Sequence, residues 1–142
     1  MSAFRDIDID ELLPQQPPFR FVDTLEWYEA EKAVVSFTVR PDGLLMEDGC
    51  LSAAGLMEHM AQADAAREGY HCKYVLHIPV SIGFIGQVRG FTLNRLPKAG
   101  ERLETTVYLR YEMFKVCLCD IEVYSGGELI ASANMKTATK DD

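Results

Sequence analysis

The sequence predicts an α+β fold, an antiparallel sheet wrapped around one long central helix. Three observations point to it. The stretch from Ser52 to Gly69 reads as a single helix whose apolar residues cover most of its circumference, so it is buried on more than one side. The segments around it alternate apolar and polar residues with the two-residue period of half-buried strands. The length of 142 residues, 48% of them hydrophobic and 25% charged, suits one domain with one core, taken as residues 1–142.

The elements follow in chain order. Asp8 to Leu13 can form one helical turn that stops before Pro14, and Pro14, Pro17 and Pro18 force an extended or turning path. Phe19 to Glu29 and Lys32 to Arg40 read as two strands; Val35, Phe37 and Val39 share one face of the second, and Pro41-Asp42-Gly43 makes a turn. Ser52 caps the helix and Gly69 is expected to end it, while its alanines allow close approach of a neighbouring backbone. Pro79 to Leu93 is a long strand whose Gly83, Gly86 and Gly90 suggest bulges. Leu103, Thr105, Val107, Leu109 and Tyr111 alternate with polar neighbours, and Val116–Tyr124, Gly126-Gly127 and Glu128–Thr137 read as a hairpin. One helix covers only part of such a sheet, so the leftover edge or face favours a homodimer.

A formal net charge of −8 argues against general nucleic-acid or anionic-membrane binding, which needs neutralising cations. No apolar run approaches the roughly 18 residues of a membrane span. Met1 to Asp10 is acidic and lacks the apolar stretch of a secretory signal, so a cytoplasmic location with four reduced cysteines is expected. Cys117 and Cys119 share one strand face and read as buried small hydrophobes; a C-x-C pair alone is a weak metal signal, and no metal or cofactor is expected. Charge is uneven along the chain. Residues 73–102 hold Lys73, Arg89, Arg95, Lys98 and Arg102 against only Glu101, a basic island that suits either an acidic partner or a solvated edge.

Glu58 sits within the apolar helix with Gln62 one turn on, on the same face. A carboxylate there is costly unless hydrogen-bonded or functional, and burial tends to raise its pKa toward acid/base work. The alternative is a side chain that reaches solvent at the helix margin.

The stretch Gly55-Leu56-Met57-Glu58-His59-Met60-Ala61-Gln62-Ala63 resembles the E-x-M-A-Q central-helix motif of the small β-hydroxyacyl-acyl-carrier-protein dehydratases. Leu12-Leu13-Pro14-Gln15-Gln16-Pro17-Pro18-Phe19 with Val22-Asp23 is similar to that family's N-terminal L-L-P-H-x-x-P-F…V-D. Ile82-Gly83-Phe84 to Arg89, followed by Pro97-Lys98-Ala99-Gly100-Glu101-Arg102-Leu103, is similar to its later G-F…R…P-x-G-x-x-L pattern. The likeness is nearest to the branch associated with aryl-polyene-type pigment clusters and runs from about Leu12 to Met135. It implies a hotdog fold, a dimer, and a thioester substrate on acyl carrier protein or coenzyme A, in fatty-acid or polyene-type synthesis. It assigns Glu58 as acid/base group with Gln62 orienting it.

Two departures stand out. The G-H-F-P-G histidine of the fatty-acid enzymes falls near Leu44, and the histidine of the pigment-type relatives falls at Gln15. Dehydration needs a base for the Cα proton, an acid for the departing hydroxyl and donors for the thioester carbonyl. His59, about 100° round the helix from Glu58, is the histidine nearest to joining the site; His71 and His77 suit surface or edge roles, and Glu47 and Asp48 a loop. Gly49 and Cys50, at the helix start, are expected near the thioester through backbone amides, and Met57 and Phe84 along the acyl chain. Lys73, Arg89, Arg95 and Lys98 are the expected carrier-protein docking residues. Three readings result: a dehydratase, a thioesterase that activates water with one carboxylate, or a non-catalytic dehydratase-like subunit paired with an active homologue.

Overall fold

The computed structural model describes residues 3–81 and 83–139, so the outermost ends of the predicted 1–142 domain lie outside the described residues. Two short 3₁₀ turns, Ala3–Asp6 and Ile9–Glu11, open the chain; Asp8 caps the second by accepting from the Asp10 amide at 3.0 Å. Strands β1 (Thr24–Glu29) and β2 (Lys32–Thr38) follow, then a small hairpin of β3 (Met46–Glu47) and β4 (Cys50–Leu51), helix α1 (Ala53–Tyr70), and β5 (Gly83–Leu93), β6 (Arg102–Met113), β7 (Val116–Ser125) and β8 (Glu128–Thr139).

Six strands form one antiparallel sheet in the order β1-β2-β6-β7-β8-β5, and α1 packs against β1, β2, β5, β6 and β7. Leu56, Met60, Ala63 and Ala66 of α1 meet Val35, Leu103, Val107, Ile121, Val123 and Met135 of the sheet in one core. Each fully buried large aliphatic contributes roughly 1.5–3 kcal/mol. No helix among the described residues is long and apolar enough to cross a membrane.

The strand registers explain the glycines. β5 slips against β8 at Gly86 and again around Gly90, where φ is +59°. Gly126 and Gly127 both take positive φ, as the two-residue hairpin turn between β7 and β8 requires.

Two expectations need correction. The first strand begins at Thr24 rather than Phe19, because helix side chains take the hydrogen bonds of Phe19 and Phe21. Gly69 does not end the helix, which runs on to Tyr70 and into a π-helical turn, His71–Val75. Its role is close approach: a Cβ there would stand 2.2 Å from the Leu12 carbonyl oxygen, so the Leu12-Leu13 segment can lie directly on the helix.

Candidate active site

Ser52 caps α1 by accepting from the Gly55 amide at 3.2 Å. One turn later the helix presents three polar residues in five positions, Glu58, His59 and Gln62. Two of them clamp the N-terminal segment. Gln62 Oε1 accepts from the Phe21 amide at 2.7 Å, and its Nε2 donates to the Phe19 carbonyl at 2.9 Å and to Glu58 Oε2 at 2.8 Å. With a donor on one side and two acceptors on the other, this amide has one orientation only. His59 lies on the next face of the helix, at Phe21 and Thr105, with ring contacts of 2.6 Å from Nδ1 to the Phe21 carbonyl oxygen and 2.7 Å from Nε2 to the Thr105 hydroxyl. The carbonyl can only accept, so Nδ1 carries the proton and Nε2 accepts from Thr105.

Glu58 is half-buried and stands at a cleft of about 260 Å³. Gln62 holds Oε2, and Oε1 has no hydrogen-bond partner among the described residues. Gln15, Gln62, Ala61 and Ala65 line the cleft beside it; Phe84 and Ile85 of β5 and Thr137 to Thr139 of β8 form another side, with Lys115 and Cys117. Phe84 keeps 55% of its surface exposed, so this rim is apolar and open. A larger cavity, about 340 Å³, lies around Phe21, Phe37, Met46 and Leu51. Its ionisable lining residues are tied in ion pairs, Arg20 with Asp10 and Arg40 with Asp23, except for Asp42, which is exposed. The smaller cleft is the one that presents Glu58, a carboxylate outside any ion pair among the described residues.

Behind Glu58 the cleft reaches a buried polar cluster that sequence reasoning missed. Asp64 Oδ1 accepts from Arg67 Nε at 2.9 Å and from the Cys119 thiol at 3.2 Å, and Oδ2 accepts from the Thr137 hydroxyl at 2.8 Å. Burial opposes the Arg67 charge, but Asp64 outweighs it and the guanidinium is held above its ordinary range. Burial, followed by the Asp64 charge, pushes the Cys119 thiol up; burial likewise pushes Cys117 up to about 12. These are inert, protonated thiols, and all four cysteines are free. Cys117, Glu68 and Glu112 bring ligand-type atoms within 4.8 Å of one another, but Cys117 already donates to Glu112 and Glu68 accepts from Arg67. The available signal for this cluster was the pair Asp64 and Arg67, opposite charges three residues apart on the helix.

The expected site residues divide. Glu58, Gln62 and Phe84 meet at the cleft. His59 does not: it is fully buried with both nitrogens engaged, so its role is to pin Phe21. His71 accepts or donates at the Tyr28 hydroxyl and His77 is exposed, so none of the three histidines lines the cleft. Gly49, with φ +78°, and Cys50 shape the β3–β4 turn, where the Gly49 carbonyl accepts from Ala99 and Cys50 bridges to Lys98. Met57 packs against the core and does not line the cleft. Near the helix start, Leu51 donates to Pro97, Ser52 to Leu45 and Gly55 to Ser52, while Gly49 and Cys50 do not line the Glu58 cleft.

Three of the five basic residues in the island are paired with carboxylates. Lys73 pairs with Glu11, Arg102 with Glu26 and Glu104, and Arg95 with Glu101 and Glu128. Arg95 holds the Glu101 carboxyl down at about 2. Arg89 and Lys98 are exposed, the first on β5 and the second at the Cys50 bridge.

His59 predicts an acid-sensitive fold. Burial lowers its pKa to about 4, partly opposed by the Phe21 carbonyl, against about 6.5 in an unfolded chain. Below about 6.5 the unfolded chain takes a proton that the folded one refuses, so the stability is full above that pH and falls as pH drops toward 4. One group gives about 1.4 kcal/mol per pH unit across that window. The urea midpoint should therefore fall between pH 7 and pH 5, with a smaller fall in His59→Gln. An unchanged midpoint in the parent protein would contradict the neutral buried ring.

The ApeP-like family, described as ApeP dehydratase, matches residues 7–142. No curated protein matches the sequence. Among solved structures, the dehydratase heterocomplex ApeI:P from Xenorhabdus doucetiae aligns with a TM-score of 0.87 and 20% identity, covering 96% of this chain and 93% of the other. A hypothetical thioesterase with coenzyme A from Streptococcus pneumoniae aligns at TM-score 0.65 and 13% identity, covering 83% and 88%. The E. coli PaaI protein from the phenylacetic acid degradation operon aligns at 0.61 and 17%, covering 80% of each chain. What these structures share with the chain is the hotdog fold, the helix-in-sheet plan expected from the sequence.

Proposed function

The chain belongs to the ApeP-like dehydratase family, and from that premise we propose that it takes a β-hydroxyacyl thioester of polyene-type synthesis into the Glu58 cleft and dehydrates it. The observation that carries this reading is the Glu58–Gln62 pair: one carboxylate oxygen is fixed at 2.8 Å and the other has no partner among the described residues, at a cleft with an apolar rim. Glu58 Oε1 takes the Cα proton and the electron pair of that C–H bond moves toward the thioester carbonyl. The Cβ–O bond then breaks and the departing hydroxyl takes the same proton back from Glu58, leaving water and an enoyl thioester. A single carboxylate serves both steps when the proton and the hydroxyl leave from one face, which needs no imidazole.

The acyl carrier is acyl carrier protein or coenzyme A, approaching through exposed Arg89 and Lys98. The exposed edge strand β5, with Phe84 and Ile85, suits pairing with a second copy or a homologue, in the cytoplasm. A specific observation favours a second reading. Gln15 occupies the position where the pigment-type relatives carry a histidine, and it lines this cleft. The chain then serves as a non-catalytic subunit beside an active homologue.

The test offers the purified protein a 3-hydroxyacyl carrier-protein thioester and follows the products by mass spectrometry. Loss of one water supports the dehydratase. Release of a free thiol replaces it with a thioesterase, and intact substrate with the carrier still bound replaces it with the non-catalytic subunit.

A further inference from the structure

Gln15 lines the Glu58 cleft, and its side-chain oxygen is buried without a hydrogen-bond partner, the one such side-chain atom among the described residues. A buried acceptor without a donor is rare and costly, and it calls for an explanation. Nothing about this loop is loose. Leu12 and Leu13 before it are buried, and the Gln15 backbone carbonyl accepts from Arg20 Nε at 3.0 Å, with Arg20 itself paired to Asp10. Pro14 and Pro17 flank the position and restrict the backbone further. The segment is also clamped downstream, where Gln62 and His59 hold Phe19 and Phe21. The amide is therefore delivered to the cleft by a fixed backbone, and only its own side-chain torsions remain free to turn.

An acceptor delivered in this way takes its donor from what enters the cleft, water when no ligand is bound and a ligand hydroxyl once one displaces it. Glu58 cannot supply one while ionised, and Gln62 has its amide hydrogens committed to Phe19 and Glu58. Resting on the thioester reading above, we propose that Gln15 is the specificity-determining residue of the cleft: its Oε1 accepts the hydrogen of the substrate's 3-hydroxyl. A saturated acyl chain or an enoyl product has no donor at that carbon and leaves the acceptor unpaired. The cleft thus favours the hydroxyl-bearing substrate over its product. An amide does not titrate near neutral pH, so Gln15 holds the hydroxyl and Glu58 alone moves protons.

The experiment measures binding, by calorimetry, of two non-hydrolysable pantetheine amide analogues of equal chain length, one 3-hydroxylated and one saturated. The parent protein should prefer the hydroxylated analogue by roughly ten-fold, the worth of one buried hydrogen bond. Gln15→Leu should bind the saturated analogue at least as well and lose the preference; Gln15→Asn, which retracts the oxygen, should reduce it. A preference that persists in Gln15→Leu, or equal binding of both analogues by the parent protein, overturns the role of Gln15 and leaves the thioester reading standing. If neither analogue binds the parent protein, the role of Gln15 and the thioester reading both fall.

Discussion

Glu58→Gln should lower dehydration of a 3-hydroxyacyl thioester by at least about a hundred-fold, the lower end of what a positioned acid/base group contributes. The substitution preserves shape. The new amide oxygen can still accept from Gln62 Nε2, so the clamp on Phe19 and Phe21 should persist. What disappears is the basic oxygen that accepts the Cα proton and returns it to the hydroxyl. Glu58 stands at the helix margin and is only half-buried, so unfolding should change little, within the range of a surface substitution. Gln62→Leu provides the contrast. It removes the hydrogen bond to Glu58 and also strips partners from the Phe21 amide and the Phe19 carbonyl, so activity and stability should fall together. The check is single-turnover mass spectrometry alongside urea unfolding. Water loss at the parent rate by folded Glu58→Gln would remove Glu58 from the chemistry.

The Glu58–Gln62 pair was legible in the sequence because helical spacing alone puts the two on one face. The plan of the fold was legible for the same reason: period-two alternation in β6 and β7 and an apolar helix leave few other ways to close a core. What the sequence did not disclose is long-range pairing. Lys73, Arg95 and Arg102 form a basic island only along the chain; in space each meets a carboxylate from another element, Glu11, Glu128 and Glu26. His59 looked available for catalysis because helical geometry fixes its direction but not what stands there, which is the Phe21 carbonyl and the Thr105 hydroxyl. Gly69 read as a helix end for a similar reason. Its need for a missing Cβ comes from Leu12, far away in the chain. Gln15 was visible as a departure from the family pattern, whereas its unpartnered oxygen could be seen only with the cleft in place.

Asp64→Ala is expected to cost roughly 3 to 5 kcal/mol, the usual result of removing one partner from a buried ion pair. Arg67 is 1% exposed and lies among core elements, so without Asp64 its charge has only the half-buried Glu68, at 3.3 Å, to answer it. Cys119 and Thr137 would also lose their acceptor. Against a total stability of about 5–15 kcal/mol this is a large fraction, and a marked drop in the thermal midpoint should follow. Asp64→Asn should cost less, because the amide oxygen can still accept from Arg67. The double variant Asp64→Leu with Arg67→Met should recover much of the loss, since replacing both charges by apolar groups leaves no buried ion unpaired. The double-mutant cycle in urea isolates the coupling between the two residues. A double variant as unstable as the sum of its singles would show that the pair is not coupled and that the loss comes from cavity formation at the floor of the cleft.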